Sequence, residues 1–76
     1  MANDICVRLG RRIRLLRSKR GWTQQQLADM AQIERGHLSK LENGKREIGL
    51  FVLERIAQAF EISLAELLRE VDKSVS

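Results

Sequence analysis

Apolar residues recur along this chain at helical spacing, in five blocks set apart by short breaks. The first block places Ile5, Leu9, Ile13 and Leu16 on one face, predicting a helix from about Asp4 to Arg20 with Gly21 as its stop. Arg8, Arg11, Arg12 and Arg14 fall on the other faces, where they read as solvated, with some claim on a polyanion alongside. The second block has a clear start. Thr23 is the expected N-cap, Gln26 completes a capping box, and Trp22 before the cap can staple onto Leu27. That helix runs to Ala31 with Leu27, Ala28 and Ala31 inward. A third helix spans about Arg35 to Asn43 and stops at Gly44. After a loop from Lys45 to Gly49, a fourth covers about Leu50 to Phe60, with Leu50, Leu53, Ile56, Ala57 and Phe60 as its inner stripe. A fifth opens at Ser63, with a second capping box to Glu66 and a staple from Ile62 to Leu67, and continues to about Val71. Asp72 to Ser76 are polar and expected to fray. The fold class is all-α: a compact five-helix domain over residues 1–76.

The middle of the chain, Thr23 to Gly44, has the layout of a helix-turn-helix. Two short helices meet at a tight turn, and the second offers its front to a DNA groove. At about 100° per residue, Leu38 and Leu41 point inward while Gly36, Lys40 and Asn43 point away. Arg35 and Ser39 flank that outer face on one side and His37 on the other. Ala28 must be small where the third helix crosses, and Ile33 plugs the turn. Glu42 falls near the inner edge, so its carboxylate should be partly buried and need a cationic partner.

Composition narrows the chemistry. One cysteine, Cys6, excludes an internal disulfide, and with a single histidine, His37, there is no zinc-ligand set. No catalytic constellation and no glycine-rich phosphate loop are present, so an enzyme is the weakest reading. No cofactor, metal or small-molecule ligand is expected, since the chain is too short to carry an effector domain as well. No apolar run reaches membrane-spanning length, and the arginines of the first twenty residues do not suit a secretory signal, so the cytoplasm is the expected compartment. The net charge of +4 is unevenly spread: +6 over residues 1–20, +1 over 21–46 and −3 over 47–76. A basic front and an acidic back suit a molecule that presents one side to a polyanion.

The segments IRLLRSKRGWTQQQLADMA, LSKLENGKR and LERIAQAFEISLAELL carry a resemblance. Over roughly Leu9 to Leu68 the chain resembles the lambda-repressor-like (Xre-family) helix-turn-helix regulators, and most of all the small controller proteins of restriction–modification systems. Phage repressor domains and antitoxin regulators are similar too. The resemblance implies that Arg35, Gly36, His37 and Lys40 read base edges in the major groove. It also implies that Gln24 reaches a phosphate while bracing the third helix, and that Asn43, Lys45 and Arg46, with Ser39, grip the DNA backbone. Arg17 and Glu42 match a structural ion pair between the first and third helices. The chain departs from the family at Gln32, where the turn usually carries glycine, and at Glu34, which stands at the third helix's N-cap. A carboxylate there suits the helix dipole but lies near phosphates unless it accepts a bond from cytosine N4.

Alternatives accompany several of these residues. Arg35 can pair bidentately with guanine or clamp a phosphate. Gly36 allows close backbone approach or is tolerated drift, and Lys40 suits a phosphate better than a base. Phe51, Val52, Leu64 and Leu68 exceed what one small core needs and read as the seam of a homodimer. The expected function is a regulator binding double-stranded DNA as a homodimer, with RNA polymerase as a further partner. The rival is a protein-interaction module docking through the acidic helices.

Overall fold

The computed structural model describes residues 4–69 and 71 and contains five helices: α1 (Ile5–Arg20), α2 (Gln24–Ala31), α3 (Arg35–Glu42), α4 (Leu50–Phe60) and α5 (Leu64–Leu67). No strand occurs among the described residues. Three of the five starts, those of α1, α2 and α5, carry a side-chain cap. Asp4 Oδ1 accepts from the Val7 amide, and Thr23 and Gln26 exchange both bonds of a capping box. The stops are left-handed residues: Gly21 after α1, Gln32 after α2 and Glu61 after α4. Gln32 adopts φ 60° and ψ 44° despite its side chain, a conformation that costs an L-residue roughly 1–2 kcal/mol.

The core joins all five helices. Leu9 and Ile13 from α1, Leu27, Ala28 and Ala31 from α2, and Leu38 and Leu41 from α3 meet Leu53, Ile56, Ala57 and Phe60 of α4 and Leu67 of α5. Trp22 stacks on Phe60, with ring centroids 5.4 Å apart and planes 8° from parallel. Arg20 lies over both rings and donates to the Phe60 carbonyl at 2.6 Å. Trp22 is thus a wedge between the α1–α2 turn and the end of α4, beyond its expected place beside Leu27.

Four sequence expectations are corrected. Leu50 is 80% exposed and Ile5 56% exposed, because the first turns of α4 and α1 overhang the core, so α4's inner stripe begins at Leu53. Helix α5 ends at Leu67, not near Val71; Val71 is nevertheless buried, outside the helix. The second capping box is half formed. Ser63 accepts from the Glu66 amide, but the Glu66 carboxylate bonds Arg12 and Arg69 instead of reaching back. Lastly, the α1 arginines are not mainly a solvated face. Arg12 is buried and donates to the Leu67 and Glu66 carbonyls at 3.0 and 2.7 Å, holding the end of α5, and Arg8 donates to the Val71 carbonyl. The expected fraying of Asp72 to Ser76 lies outside the described residues.

Two close approaches fix α1 against α3. A Cβ on Gly10 would lie 2.5 Å from the Leu41 carbonyl oxygen and 2.6 Å from that of Glu42, so only glycine lets the backbones meet there. Gly44, with φ +70°, turns the chain after α3 directly against Val7. Beside this contact the Glu42 side chain is wholly buried. Arg17 grips it from α1, with Nε donating to Oε2 at 2.7 Å and Nη2 to Oε1 at 3.0 Å, while Nη1 donates to the Trp22 carbonyl. Gln24 Nε2 adds a bond from α2 to Oε1 at 3.0 Å.

Gly10→Ala is expected to lower unfolding free energy by about 1–3 kcal/mol, because the backbone atoms it meets cannot swing aside. Urea denaturation measures this, and a loss below about 0.5 kcal/mol would show that the helices can separate freely. Arg17→Met should cost about 3–5 kcal/mol by stranding a buried carboxylate, and the double variant Arg17→Met with Glu42→Met should regain most of it. Equal losses in the single and double variants would show the pair to be dispensable to packing.

Candidate nucleic-acid interface

Helices α2 and α3 form a bihelical unit whose turn is built by Gln32 and Ile33. The Gln32 amide donates toward the end of α2, the Ile33 amide donates to the Ala28 carbonyl, and the Ile33 side chain packs on the core. Leu38 and Leu41 then bury the back of α3 completely. With the back fixed, helical geometry decides the front. Arg35, Gly36 and Lys40 are exposed, and His37 and Ser39 are half-buried at its margins. A side chain added at Gly36 would meet nothing within 4 Å, so no internal packing demands glycine there. Beyond α3, Lys45 and Arg46 are exposed in the loop.

The electrostatics of this surface differ from those of α1. Arg35, Lys40, Lys45 and Arg46 make no ion pair or side-chain hydrogen bond among the described residues. Four cations without internal acceptors follow one another along α3 and the loop after it. In α1, by contrast, Arg8, Arg12, Arg14, Arg17 and Arg20 all bond protein acceptors, leaving only Arg11 and Lys19 without one among the described residues. Most of the basic front half of the sequence therefore serves the scaffold, and the cations available to a partner concentrate at α3.

The other singled-out residues fall in three places. Gln24 opens α2 half-buried, with its amide nitrogen committed to Glu42. Asn43 is exposed just after α3; its Nδ2 donates to the Ser39 carbonyl and its Oδ1 accepts from Arg14. Glu34 stands at the α3 N-cap with extended backbone and no side-chain cap bond. Phe51, Leu64 and Leu68 are exposed and Val52 is half-buried. With Leu50 they put apolar side chains at the surface of α4, α5 and the residue after α5. Next to it, Ile5, Cys6, Leu9, Glu47, Ile48, Leu53 and Leu68 line a groove of about 360 Å³. Sequence reasoning missed Arg14, which reaches the end of α3. Its position one turn before Arg17 was the available signal, since residues three apart share a helix face. Among the described residues no cluster of His, Cys, Asp and Glu could hold a metal ion, and no helix is long and apolar enough to cross a membrane.

Comparison with known proteins agrees with this geometry. Residues 10–73 match a helix-turn-helix domain. The competence pilus inhibition repressor of Acinetobacter baylyi is 42% identical over 78% of this chain and 54% of its own length. This chain thus spans about half of that relative. Control protein C.MunI from a Mycoplasma species is 36% identical, over 93% of this chain and 97% of its own. The crystal structure of the restriction–modification controller protein C.AhdI from Aeromonas hydrophila superimposes with a TM-score of 0.79 at 32% identity, covering 82% of this chain and 94% of that one. The chain belongs to the lambda-repressor-like (Xre-type) helix-turn-helix family of DNA-binding transcription regulators, and its relatives include restriction–modification control proteins.

Proposed function

We propose that this chain, a single helix-turn-helix domain over residues 1–76, is a restriction–modification controller protein. It binds a near-palindromic operator as a homodimer, governs its own gene and the restriction gene, and works in the cytoplasm. The observation that carries the reading is the run of cations without an acceptor among the described residues: Arg35 and Lys40 on the exposed front of a helix whose back is sealed in the core, then Lys45 and Arg46 in the loop after it. Such a face matches the charge of a phosphate backbone and the width of a major groove. Arg35, Gly36, His37 and Lys40 read base edges. Gln24, Ser39, Asn43, Lys45 and Arg46 hold the backbone, Gln24 through the second N–H of its side-chain amide, the first being used on Glu42. Near-complete mutual coverage with control protein C.MunI supports the controller assignment.

The homodimer reading rests on Phe51, 79% exposed, and on Leu50, Leu64 and Leu68, which are exposed as well. Burying such a patch against its symmetry mate removes apolar surface that a small soluble protein seldom leaves open. The two α3 helices then enter successive major grooves about 34 Å apart.

Selection of bound fragments from random duplex DNA should recover two inverted half-sites at that spacing. Unrelated fragments with no shared element would contradict sequence-specific binding. On the selected site, Arg35→Ala should cost about 1–3 kcal/mol per protomer in binding while leaving affinity for random duplex within about threefold. Equal losses on both would make Arg35 a phosphate clamp. In sedimentation equilibrium, Phe51→Asp should convert a dimer to a folded monomer; an unchanged mass would place the dimer seam elsewhere.

A further inference from the structure

The charge balance around Glu42 leaves one cation over. Arg17 meets the carboxylate through two hydrogen bonds and uses its remaining nitrogen on the Trp22 carbonyl, so each of its three nitrogens holds a protein acceptor. Gln24 supplies a further donor to the same carboxylate. Arg14, one turn earlier on α1, holds its Nε 3.7 Å from Glu42 Oε1, beyond hydrogen-bond distance, and its side chain is 51% exposed. Its one hydrogen bond is from Nη2 to Asn43 Oδ1 at 2.9 Å. One carboxylate thus faces two guanidiniums, and the surplus charge sits at the surface beside the end of α3.

Asn43 turns that surplus into a defined arrangement. The Ser39 carbonyl can only accept and Arg14 can only donate, so the two bonds fix which way the Asn43 amide faces. Nδ2 uses one N–H on Ser39, and its second has no acceptor among the described residues. The amide is exposed. Arg14 likewise keeps N–H groups without an acceptor among the described residues. Donors from α1 and from the residue after α3 therefore stand together with net positive charge; the one carboxylate in ion-pair range, Glu42, is already hydrogen-bonded by Arg17 and Gln24, an arrangement suited to a phosphate oxygen.

We propose that Arg14 and Asn43 form a seat for a single DNA backbone phosphate at the C-terminal end of α3, with Arg14 both a ligand of the phosphate and the residue that orients Asn43. This deepens the DNA-binding reading above and rests on it. The seat ties α1 to the same DNA strand that α3 approaches, so the scaffold helix sets how deep α3 lies in the groove.

The test is the salt dependence of binding to a duplex of about 20 base pairs and arbitrary sequence, for the full chain and two variants. For wild type, log K should fall steeply and linearly with log salt. For Arg14→Ala the slope should become shallower by about 0.9 per bound protomer, the value for one phosphate contact. Affinity near 0.1 M salt should fall about tenfold. Arg14→Lys should keep the wild-type slope while losing a few-fold in affinity, since it retains the charge without the fork that orients Asn43. Melting followed by circular dichroism should place both variants close to wild type, because Glu42 keeps Arg17 and Gln24. An unchanged slope in Arg14→Ala, with or without weaker binding, overturns the seat and makes Arg14 structural. An equal slope loss in both variants overturns it too. A flat salt response in wild type overturns the DNA-binding reading itself.

Discussion

A carboxylate taken out of water must be met on every side, and in this chain that demand settles how the first three helices are arranged. Glu42 is wholly buried near the end of α3. Its oxygens are satisfied only where Arg17 of α1 and Gln24 of α2 reach them together. A helix of eight residues such as α3 has little stability of its own, so its direction comes from these partners and from the close approach at Gly10. The same three residues link the front of the molecule to its interior. Rotation of α3 about its axis would expose Arg35 and Lys40 differently only by pulling Glu42 off Arg17. The proposed reading surface is therefore rigid because its back carries a charge that tolerates one position.

The arginines divide into two populations by what they touch. Those of α1 finish other elements. Arg12 and Arg8 close the end of α5 and the segment after it, and Arg20 closes the end of α4 while covering Trp22 and Phe60. Helix ends leave carbonyls without partners, and a short chain with few polar core residues meets that need with long side chains from a single helix. The cations of α3 and its loop have no such duty among the described residues. Scaffold and interface thus use the same residue type for opposite purposes. The apolar surface on α4 and α5 lies on elements whose ends α1 secures, so one helix supports both the proposed DNA face and the proposed dimer face.

Much of the fold was legible in the sequence because its signals are local. Capping residues and 3.6-residue periodicity place all five starts, and the expected bounds of α2, from Thr23 to Ala31, and of α4, from Leu50 to Phe60, agree with the structure. What was not legible depends on contacts distant in sequence. Periodicity assigns Leu50 and Ile5 to an inner face but does not say that the core ends one turn short of them. Nothing near Arg12 shows that it is buried, because its acceptors lie more than fifty residues away. At the candidate site, the exposed faces of Arg35, Gly36 and Lys40 follow from helix geometry once Leu38 and Leu41 point inward. The commitments of Gln24 and Asn43 to internal bonds do not, since an amide's partners depend on which side chains cross nearby.

The central claim is that α3 and its surroundings, and not the apolar side of α4 and α5, meet DNA. Amide chemical-shift mapping of the isotopically labelled chain during titration with its selected duplex tests this most directly. Perturbations are expected from Gln24 through Arg46, with Arg14 included, and little change is expected across Leu50 to Leu68. Perturbations concentrated on Leu50 to Leu68, with α3 unaffected, would contradict the account.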